Sequence, residues 1–356
     1  MNDIKFRKGV GLDLGTNAIV KARLSVEDDV VTSWIRDAFL ILEPTNKIIK
    51  NTMKRGLTKA GIKFLEKEDK FIILGDDALN QSVERGMTTR RPMAKGVMSP
   101  READALPMFK VLVSNILGKP LVENELCVYS IPSSPIDEPF DSEFHSSMIN
   151  AILSDLGFKG LPMNEAQAII YSELDDQDYT GMAISCGAGM INLAICNAGD
   201  PVCVFATSKS GDYIDERTAV ALGYDPADGN KNTITPSTVQ LTKETCELDL
   251  DNIDSTDRIQ MGLKTYYEAL INYTVDNIVY QIKKLDTPPR FKEPIVVIVS
   301  GGTSKPKGFV NMFKQSFLSK EKDLPFNVKE VRPAKEPLDS VARGCLIAAQ
   351  LEYPEE

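Results

Sequence analysis

The sequence is poor in the residues that build many catalytic and metal sites. His145 is the only histidine, and the six cysteines include no Cys-x-x-Cys pair. A single imidazole argues against a Ser–His–Asp triad or a multi-histidine metal site, and its polar neighbours predict a place on a helix surface. The cysteines lie mostly in apolar runs, which indicates buried, reduced thiols rather than a disulfide or zinc framework.

Long apolar runs are absent as well. No segment approaches the roughly 18 apolar residues that a membrane-spanning helix needs. Residues 1–8 carry four charges, those of Asp3, Lys5, Arg7 and Lys8. They lack both the apolar core of a signal peptide and the apolar face of an amphipathic anchor. We therefore expect a cytoplasmic protein with little intrinsic membrane binding.

An excess of basic charge is also missing. The 356 residues include 51 acidic and 41 basic side chains, which gives a net charge of −10. This balance disfavours direct nucleic-acid binding, because that function usually depends on a basic surface. The hydrophobic share of 42% is that of a folded globular protein, and at about 150 residues per domain the length predicts two domains.

What the sequence does contain is a repeated unit of strand, glycine tip and strand. Short apolar strands flank Gly15, and others flank Gly187 and Gly189, while a third glycine loop follows a β-branched run that predicts a buried strand. The predicted strands are 10–14, 18–24, 71–74, 126–131, 182–184, 191–195 and 294–299, and the predicted helices are 103–117, 143–156, 165–171, 238–248, 262–285 and 340–351.

Such tips can turn several backbone N–H groups towards one point, which suits a phosphate. Asp13 lies two residues before the first tip, where a carboxylate can hold a Mg²⁺-bound water. Each tip alone is better explained by an ordinary tight turn. Because ligands of open α/β sheets bind at the carboxyl ends of strands, the three loops together favour a shared phosphate site.

The order and spacing of these segments resemble the actin, sugar kinase and heat-shock chaperone ATPase superfamily. Within it, the chain is most similar to the bacterial actins MreB and MamK, from about residue 9 to 349. The segments that carry the resemblance are the first phosphate loop 11–16, the first connecting helix 164–171, the second phosphate loop 185–192, the adenosine loop 299–303, the second connecting helix 339–345, and the MreB-like stretches 74–78, 91–97, 131–133 and 211–216.

The resemblance implies an α/β fold of the actin type, in which two ribonuclease-H-like domains hold a nucleotide between them. The first domain is expected to comprise residues 1–157 and 335–356, with an insertion at about 45–91. The second is expected to comprise residues 158–334, with an insertion at about 217–260.

The resemblance also implies ATP or ADP with Mg²⁺ as ligands. Asp13 would hold the magnesium shell, and Glu165 would orient the attacking water. The alternative for Glu165, which the surrounding motif disfavours, is an acid that only stabilises the helix dipole. The phosphate cradles would be Gly15, Thr16 and Asn17 for the β-phosphate and Gly187, Ala188 and Gly189 for the γ-phosphate.

On the adenosine side, Lys243 and Glu244 resemble the actin segment that contacts the nucleoside, and Glu244 would accept hydrogen bonds from the ribose hydroxyls. An exposed charged pair on a helix face explains these two residues equally well. Gly211 would approach the ribose, and the adenine side would be lined by Gly301, Gly302 and Thr303.

The largest departure from the family pattern is Ser185, which stands where relatives carry an aspartate that steadies the metal and the water. Met190 replaces the usual threonine, and Asn192 stands where actin has a histidine. The resemblance, so modified, implies ATP binding with slow hydrolysis.

Two functions follow as hypotheses. The first is a nucleotide-dependent filament of the bacterial actin type, whose main partner is a second copy of itself, with a protein adaptor as a further partner. The alternative is a non-polymerising scaffold that resembles PilM or FtsA, binds nucleotide as a clamp and recruits a membrane protein. A sugar kinase is disfavoured, because we find no good candidate for its acidic hydroxyl-activating base near residues 130–135.

Overall fold

The computed structural model describes residues 4–99, 101–139, 142–225, 227 and 234–353. Within these ranges the chain forms two five-stranded sheets and ten α-helices. The strands are β1 Val10–Leu14, β2 Ala18–Leu24, β3 Val30–Arg36, β4 Phe39–Leu42, β5 Phe64–Lys67, β6 Lys70–Leu74, β7 Met93–Ala94, β8 Val97–Met98, β9 Glu125–Ile131, β10 Phe158–Asn164, β11 Gly181–Cys186, β12 Ile191–Asn197, β13 Asp200–Thr207, β14 Ile295–Ser300 and β15 Val328–Pro333.

The helices lie between and around the sheets, and none of the described helices is long and apolar enough to cross a membrane. They are α1 Lys47–Lys59, α2 Asp76–Glu84, α3 Ala105–Leu117, α4 Ser142–Asp155, α5 Glu165–Glu173, α6 Gly211–Ala221, α7 Pro236–Thr245, α8 Arg258–Lys284, α9 Phe309–Ser319 and α10 Ser340–Leu351.

The two large sheets share one topology. The first has the strand order β10-β9-β1-β2-β3 and the second β13-β12-β11-β14-β15. In each, three antiparallel strands follow one another along the chain. A fourth strand pairs in parallel with the first of the three, and a fifth pairs in parallel with the fourth. The repeated strand–glycine–strand unit is therefore the opening hairpin of each sheet.

The central strands are covered on both faces, which explains their uninterrupted apolar sequences. All residues of β11 and of β14 are buried. Helices α5 and α10 fill the space between the sheets, where one apolar cluster joins Val128 of the first sheet to Ile298 of the second. This shared core joins the two halves of the molecule.

The predicted insertion at 45–91 forms most of a small unit, which begins before residue 45 with β4. Strands β4, β6 and β5 form a three-stranded antiparallel sheet, and α1 and α2 belong to the same stretch of chain. Leu40, Leu57 and Phe71 belong to its separate apolar cluster. In the second predicted insertion, residues 226 and 228–233 lie outside the described residues, as do Asp3 and the last three residues of the predicted first domain.

The expected surface position of His145 is wrong. The side chain is 1% exposed in α4, its Nδ1 accepts a hydrogen bond from the Met98 amide at 3.2 Å, and burial lowers its pKa to about 4. The reason is helical spacing, because His145 shares one face of α4 with the buried Ile149 and Ile152. Among the cysteines, Cys246 is half-buried, and the other five are buried free thiols.

Backbone packs directly against backbone where α10 crosses the core. A Cβ atom added at Gly344 would lie 1.8 Å from the Ala168 carbonyl oxygen of α5, and one at Gly11 would lie 2.1 Å from the Ala342 carbonyl oxygen. No side-chain rotation relieves such an overlap, so glycine is required at both positions.

We expect Gly344→Ala to lower the free energy of unfolding by about 3 kcal/mol or more, because overpacking against fixed backbone forces the helices apart. The matched control is Gly56→Ala in α1, where an added Cβ meets nothing within 4 Å. That change should stabilise the protein by about 0.5–1 kcal/mol, since alanine is the better helix former. Urea unfolding measures both, and equal stability of the two variants would contradict this packing.

Candidate functional site

The two opening hairpins bring their glycine tips into contact. A Cβ atom added at Gly189, in the second tip, would lie 2.4 Å from Thr16 Oγ1 in the first tip and 2.9 Å from the Gly96 amide nitrogen. Thr16 Oγ1 in turn accepts a hydrogen bond from that amide at 2.8 Å. The first two predicted loops therefore meet at one point between the sheets.

Four amides at these tips have no hydrogen-bond partner among the described residues. They belong to Thr16, Asn17, Ala188 and Gly189. The other two tip amides are used internally, because Gly15 donates to Ala18 at 3.0 Å and Gly187 donates to Met190 at 3.1 Å. The site thus offers donors from both halves of the molecule.

Carboxyl groups lie at the strand ends beside these tips. Asp13 is the penultimate residue of β1, and its Oδ1 accepts a hydrogen bond from Ser130 Oγ at 2.8 Å. Glu165 is the first residue of α5, which Asn164 caps by accepting from the amides of Ala166 and Gln167, each at 3.1 Å. The cap fixes the start of the helix and therefore the position of the Glu165 side chain.

Two neighbours hold both oxygens of Glu165. Ser185 Oγ donates to Oε1 at 2.5 Å, and Asn192 Nδ2 donates to Oε2 at 2.8 Å. Asn192 is itself fixed, because its Oδ1 accepts from the Ser133 amide at 2.8 Å. The sequence singled out Asn192 as a departure from the family pattern but not as a partner of Glu165.

Burial dominates the electrostatics of this pair of acids. It raises the pKa of Glu165 to about 8, the nearby Asp13 charge raises it further, and the Ser185 hydrogen bond opposes the change. Burial likewise raises the pKa of Asp13 to about 6, against the hydrogen bond from Ser130. At neutral pH Glu165 therefore keeps its proton, and a cation placed between the two groups would favour their ionised forms.

These residues fit a Mg²⁺ ion whose other ligands are water and the phosphates of a bound substrate. Among the described residues no group of three or more His, Cys, Asp or Glu side chains could hold a metal ion. Magnesium, however, is commonly bound through one or two carboxylates together with water and substrate phosphates. Asp13 offers a carboxylate of that kind beside the unpartnered amides.

The remaining predicted residues gather around the carbonyl oxygen of Gly187. It accepts hydrogen bonds from Ser210 Oγ at 2.5 Å and Thr303 Oγ1 at 2.7 Å, and from the Gly211 amide at 3.3 Å. Gly301 has φ +94°, and a Cβ there would lie 2.3 Å from the Cys186 carbonyl oxygen. Gly302 follows it in a short 3₁₀ turn. The third loop thus packs against the second.

Lys243 and Glu244 have different environments although they are adjacent. Lys243 Nζ lies 2.7 Å from an oxygen of the buried Asp215, so its charge is already compensated. Glu244 Oε2 accepts a hydrogen bond from Arg36 Nη2 at 2.6 Å. Arg36 is the last residue of β3 in the first sheet. Sequence reasoning missed Arg36, because no glycine or motif marks it and its partner is 208 residues away.

Comparison with known proteins places this geometry in a wider context. A family model described as Volactin matches residues 9–349. No curated protein matches the sequence.

Three solved structures illustrate the likeness in fold. The MamK double helical filament has 17% identity and a TM-score of 0.64, over 96% of this chain and 98% of that one. MreB 5 of Spiroplasma citri bound to AMPPNP has 16% identity and a TM-score of 0.67, over 97% of each chain. The ethanolamine utilization protein EutJ of Carboxydothermus hydrogenoformans has 15% identity and a TM-score of 0.53, over 98% and 92%. The predicted actin-like fold class is confirmed.

The raised pKa of Glu165 gives a test of its surroundings. Because the folded protein holds the proton up to about pH 8, while an exposed glutamate loses it near pH 4.3, stability should fall as pH rises between these values. Glu165→Gln removes this contribution, so its thermal midpoint should fall less between pH 5 and 8 than that of the wild type.

The control for this measurement is Glu268→Gln, at an exposed position of α8, which should keep the wild-type slope. Some decline should persist in the Glu165 variant, because burial also raises the pKa of Asp37 to about 8. An unchanged slope in Glu165→Gln, measured without nucleotide or metal, would show that Glu165 is not held protonated.

Proposed function

Because the chain belongs to the Volactin family, we propose that it binds a nucleotide between its two sheets and assembles into filaments of the actin type. The observation that carries the proposal is the meeting of the two glycine tips, with four unpartnered amides and two half-buried carboxyl groups, those of Asp13 and Glu165, beside them. The fold of MamK and MreB over nearly the whole chain supports it.

ATP or ADP is the proposed ligand. Solved structures of similar fold are bound to AMPPNP and to ADP, and backbone N–H groups at glycine tips are suited to phosphate. We assign the β-phosphate to Gly15, Thr16 and Asn17, and the γ-phosphate to the second tip, which consists of Gly187, Ala188 and Gly189. Asp13 would bind Mg²⁺ through a water molecule, and the metal would neutralise phosphate charge.

Glu165 is the proposed positioning group for the attacking water. Phosphoryl transfer depends on placement and charge more than on covalent help, and Glu165 is fixed at both of its oxygens. Ser185 supplies no negative charge, and its hydroxyl proton is committed to Glu165. Only its oxygen lone pairs remain for a water, so we propose that ATP binds well and is hydrolysed slowly.

The adenosine would lie towards Gly211, Gly301, Gly302 and Thr303, with the ribose hydroxyls directed at Glu244. Lys243 has a smaller part in this proposal than the sequence implied, because Asp215 holds its ammonium group. Its contribution is to fix α7 against α6, at whose start Gly211 lies.

We also propose a revised division into domains. The sequence placed the boundary after residue 157, but β10 pairs with β9 in the first sheet along its whole length. A boundary between Asn164 and Glu165 keeps that sheet intact and makes α5 the connection between the halves. The proposed C-terminal boundary stays near residue 335, after β15. We also keep the proposal of a cytoplasmic location.

The scaffold alternative rests on one observation, which is the loss of the acid at position 185. A protein that binds nucleotide without turnover suits a static clamp that recruits an adaptor or membrane partner. The two functions differ in self-assembly, and neither requires direct lipid binding.

We expect the purified protein to sediment with ATP and Mg²⁺ and to stay in solution without nucleotide. Electron microscopy of the pellet should show filaments. The control is Gly189→Val, whose side chain would overlap Thr16 and the backbone at Gly96, force the tips apart and prevent both binding and assembly. A wild-type protein that binds ATP but remains monomeric at high concentration would contradict the filament proposal and favour the scaffold.

Restoring the missing acid should accelerate hydrolysis. We expect Ser185→Asp to raise steady-state phosphate release by about tenfold to a thousandfold, the range found when one such positioned group is removed. Glu165→Ala should abolish the slow phosphate release of the wild type. Ser185→Ala is the matched control, because it also lacks the charge and should not exceed the wild type. Fast wild-type release that Ser185→Asp leaves unchanged would overturn the slow-turnover proposal.

A further inference from the structure

Two ion pairs cross from one half of the molecule to the other near the first glycine tip. Arg36, at the end of β3, pairs with Glu244 of α7 at 2.6 Å, and Arg91 pairs with Asp212 of α6 at 2.8 Å. Gln240 of α7 links them, because its Oε1 accepts from Arg91 Nη2 at 2.9 Å and its Nε2 donates to Glu244 Oε1 at 2.9 Å. Each pair joins one half of the molecule to the other.

Arg36 is the most fully engaged of these residues. Its side chain is 10% exposed, and all three guanidinium nitrogens donate. Nε donates to Asp76 Oδ1 at 2.7 Å, Nη1 to Asn17 Oδ1 at 3.0 Å, and Nη2 to Glu244 Oε2. A planar guanidinium held at three points fixes the relative positions of its acceptors.

The acceptors matter because they belong to the two ends of the proposed nucleotide site. Asn17 lies in the first phosphate tip, and Glu244 is the proposed ribose acceptor. Gln240 strengthens the link, since its Nε2 also donates to Asn17 Oδ1 at 2.8 Å. Arg36 therefore connects the phosphate end to the sugar end across the cleft.

We propose that Arg36 is a positioning residue for the nucleotide, which fixes Glu244 against Asn17 and thereby sets selectivity for the ribose hydroxyls and slows nucleotide release. This inference rests on the proposed function, because it needs a nucleotide in the cleft.

Glu244 keeps the capacity that this role needs. Its Oε1 accepts from Arg36, Gln240 and, at 3.4 Å, Asn17, whereas Oε2 accepts from Arg36 alone. A carboxylate oxygen has two lone pairs, so Oε2 can accept one more donor. The side chain is 28% exposed, so the carboxylate is not closed off from a hydroxyl group.

The same contacts explain slow release. For the two halves to separate, the Arg36–Glu244 and Arg91–Asp212 pairs and the bonds of Gln240 to Arg91 and Asn17 must break together. Hydrogen bonds to charged groups are worth about 1.5–3 kcal/mol each, so breaking even one of them changes an opening equilibrium by about tenfold or more. Loss of Arg36 alone should therefore open the cleft more often.

The test compares ADP, 2′-deoxy-ADP and 3′-deoxy-ADP by calorimetric titration, at protein concentrations below those that assemble. Release is followed with radiolabelled ADP chased by unlabelled ADP. The wild type should prefer ADP over at least one deoxy analogue by about tenfold. Arg36→Ala should bind all three with similar affinity and release ADP about tenfold faster. Arg36→Lys should restore part of the selectivity and part of the slow release, because lysine keeps the positive charge but donates from one nitrogen instead of three.

Controls separate positioning from a general loss of structure. Lys110→Ala breaks an exposed ion pair with Asp155 at the surface and should leave selectivity and release unchanged. In a cycle with Glu244→Ala, the double variant should show no further loss of selectivity, because Arg36 acts through Glu244. If Arg36→Ala does not fold, Arg36→Lys carries the test with intermediate selectivity and faster release.

The outcomes distinguish this inference from the function on which it rests. A wild-type protein that binds none of the three nucleotides overturns both. Nucleotide binding with wild-type selectivity and release in Arg36→Ala, or in Arg36→Lys where that variant carries the test, overturns the role of Arg36 alone. Equal loss of affinity for all three nucleotides without faster release also overturns it.

Discussion

The constraint on which the site depends is the contact between the two glycine tips. At Gly189 the second hairpin passes so close to Thr16 that a single methyl group would overlap its hydroxyl. Only a residue without a side chain allows the two tips, which carry the unpartnered amides, to approach each other this closely. Everything else about the site, including its acids and its ion pairs, is arranged around that space by elements that the two sheets hold in place.

Charge is the second determinant of the site. Burial makes ionisation of Asp13 and Glu165 unfavourable and raises the pKa of both groups. A nearby cation would stabilise their ionised forms. In the proposed function, a metal ion bound to the phosphates would compensate these two acids from outside the chain, whereas Arg36 compensates the charge of Glu244 from within. The acids beside the tips and the acid on the far side of the cleft are thus balanced in different ways, which fits chemistry at one end and retention at the other.

The sequence predicted the elements whose signals are local. Strands β1 and β2 and helix α10 have the predicted bounds, because apolar runs and flanking glycines mark them. Helix α6 was missed, because two of its buried residues, Asp215 and Thr218, are polar and interrupt the apolar pattern. His145 was misplaced because neighbours in sequence, rather than residues one helical turn away, were used to judge it. Arg36 was beyond reach, since its role exists only when chain segments 208 residues apart fold together.

The central claim is that one nucleotide engages both tips at once, and hydrogen exchange of the backbone amides tests it most directly. The amides of Thr16, Asn17, Ala188 and Gly189 have no partner among the described residues and should exchange rapidly in the free protein. Addition of ATP and Mg²⁺ under conditions that prevent assembly should protect both tips at the same nucleotide concentration. Protection of one tip alone, or of neither, would contradict the account.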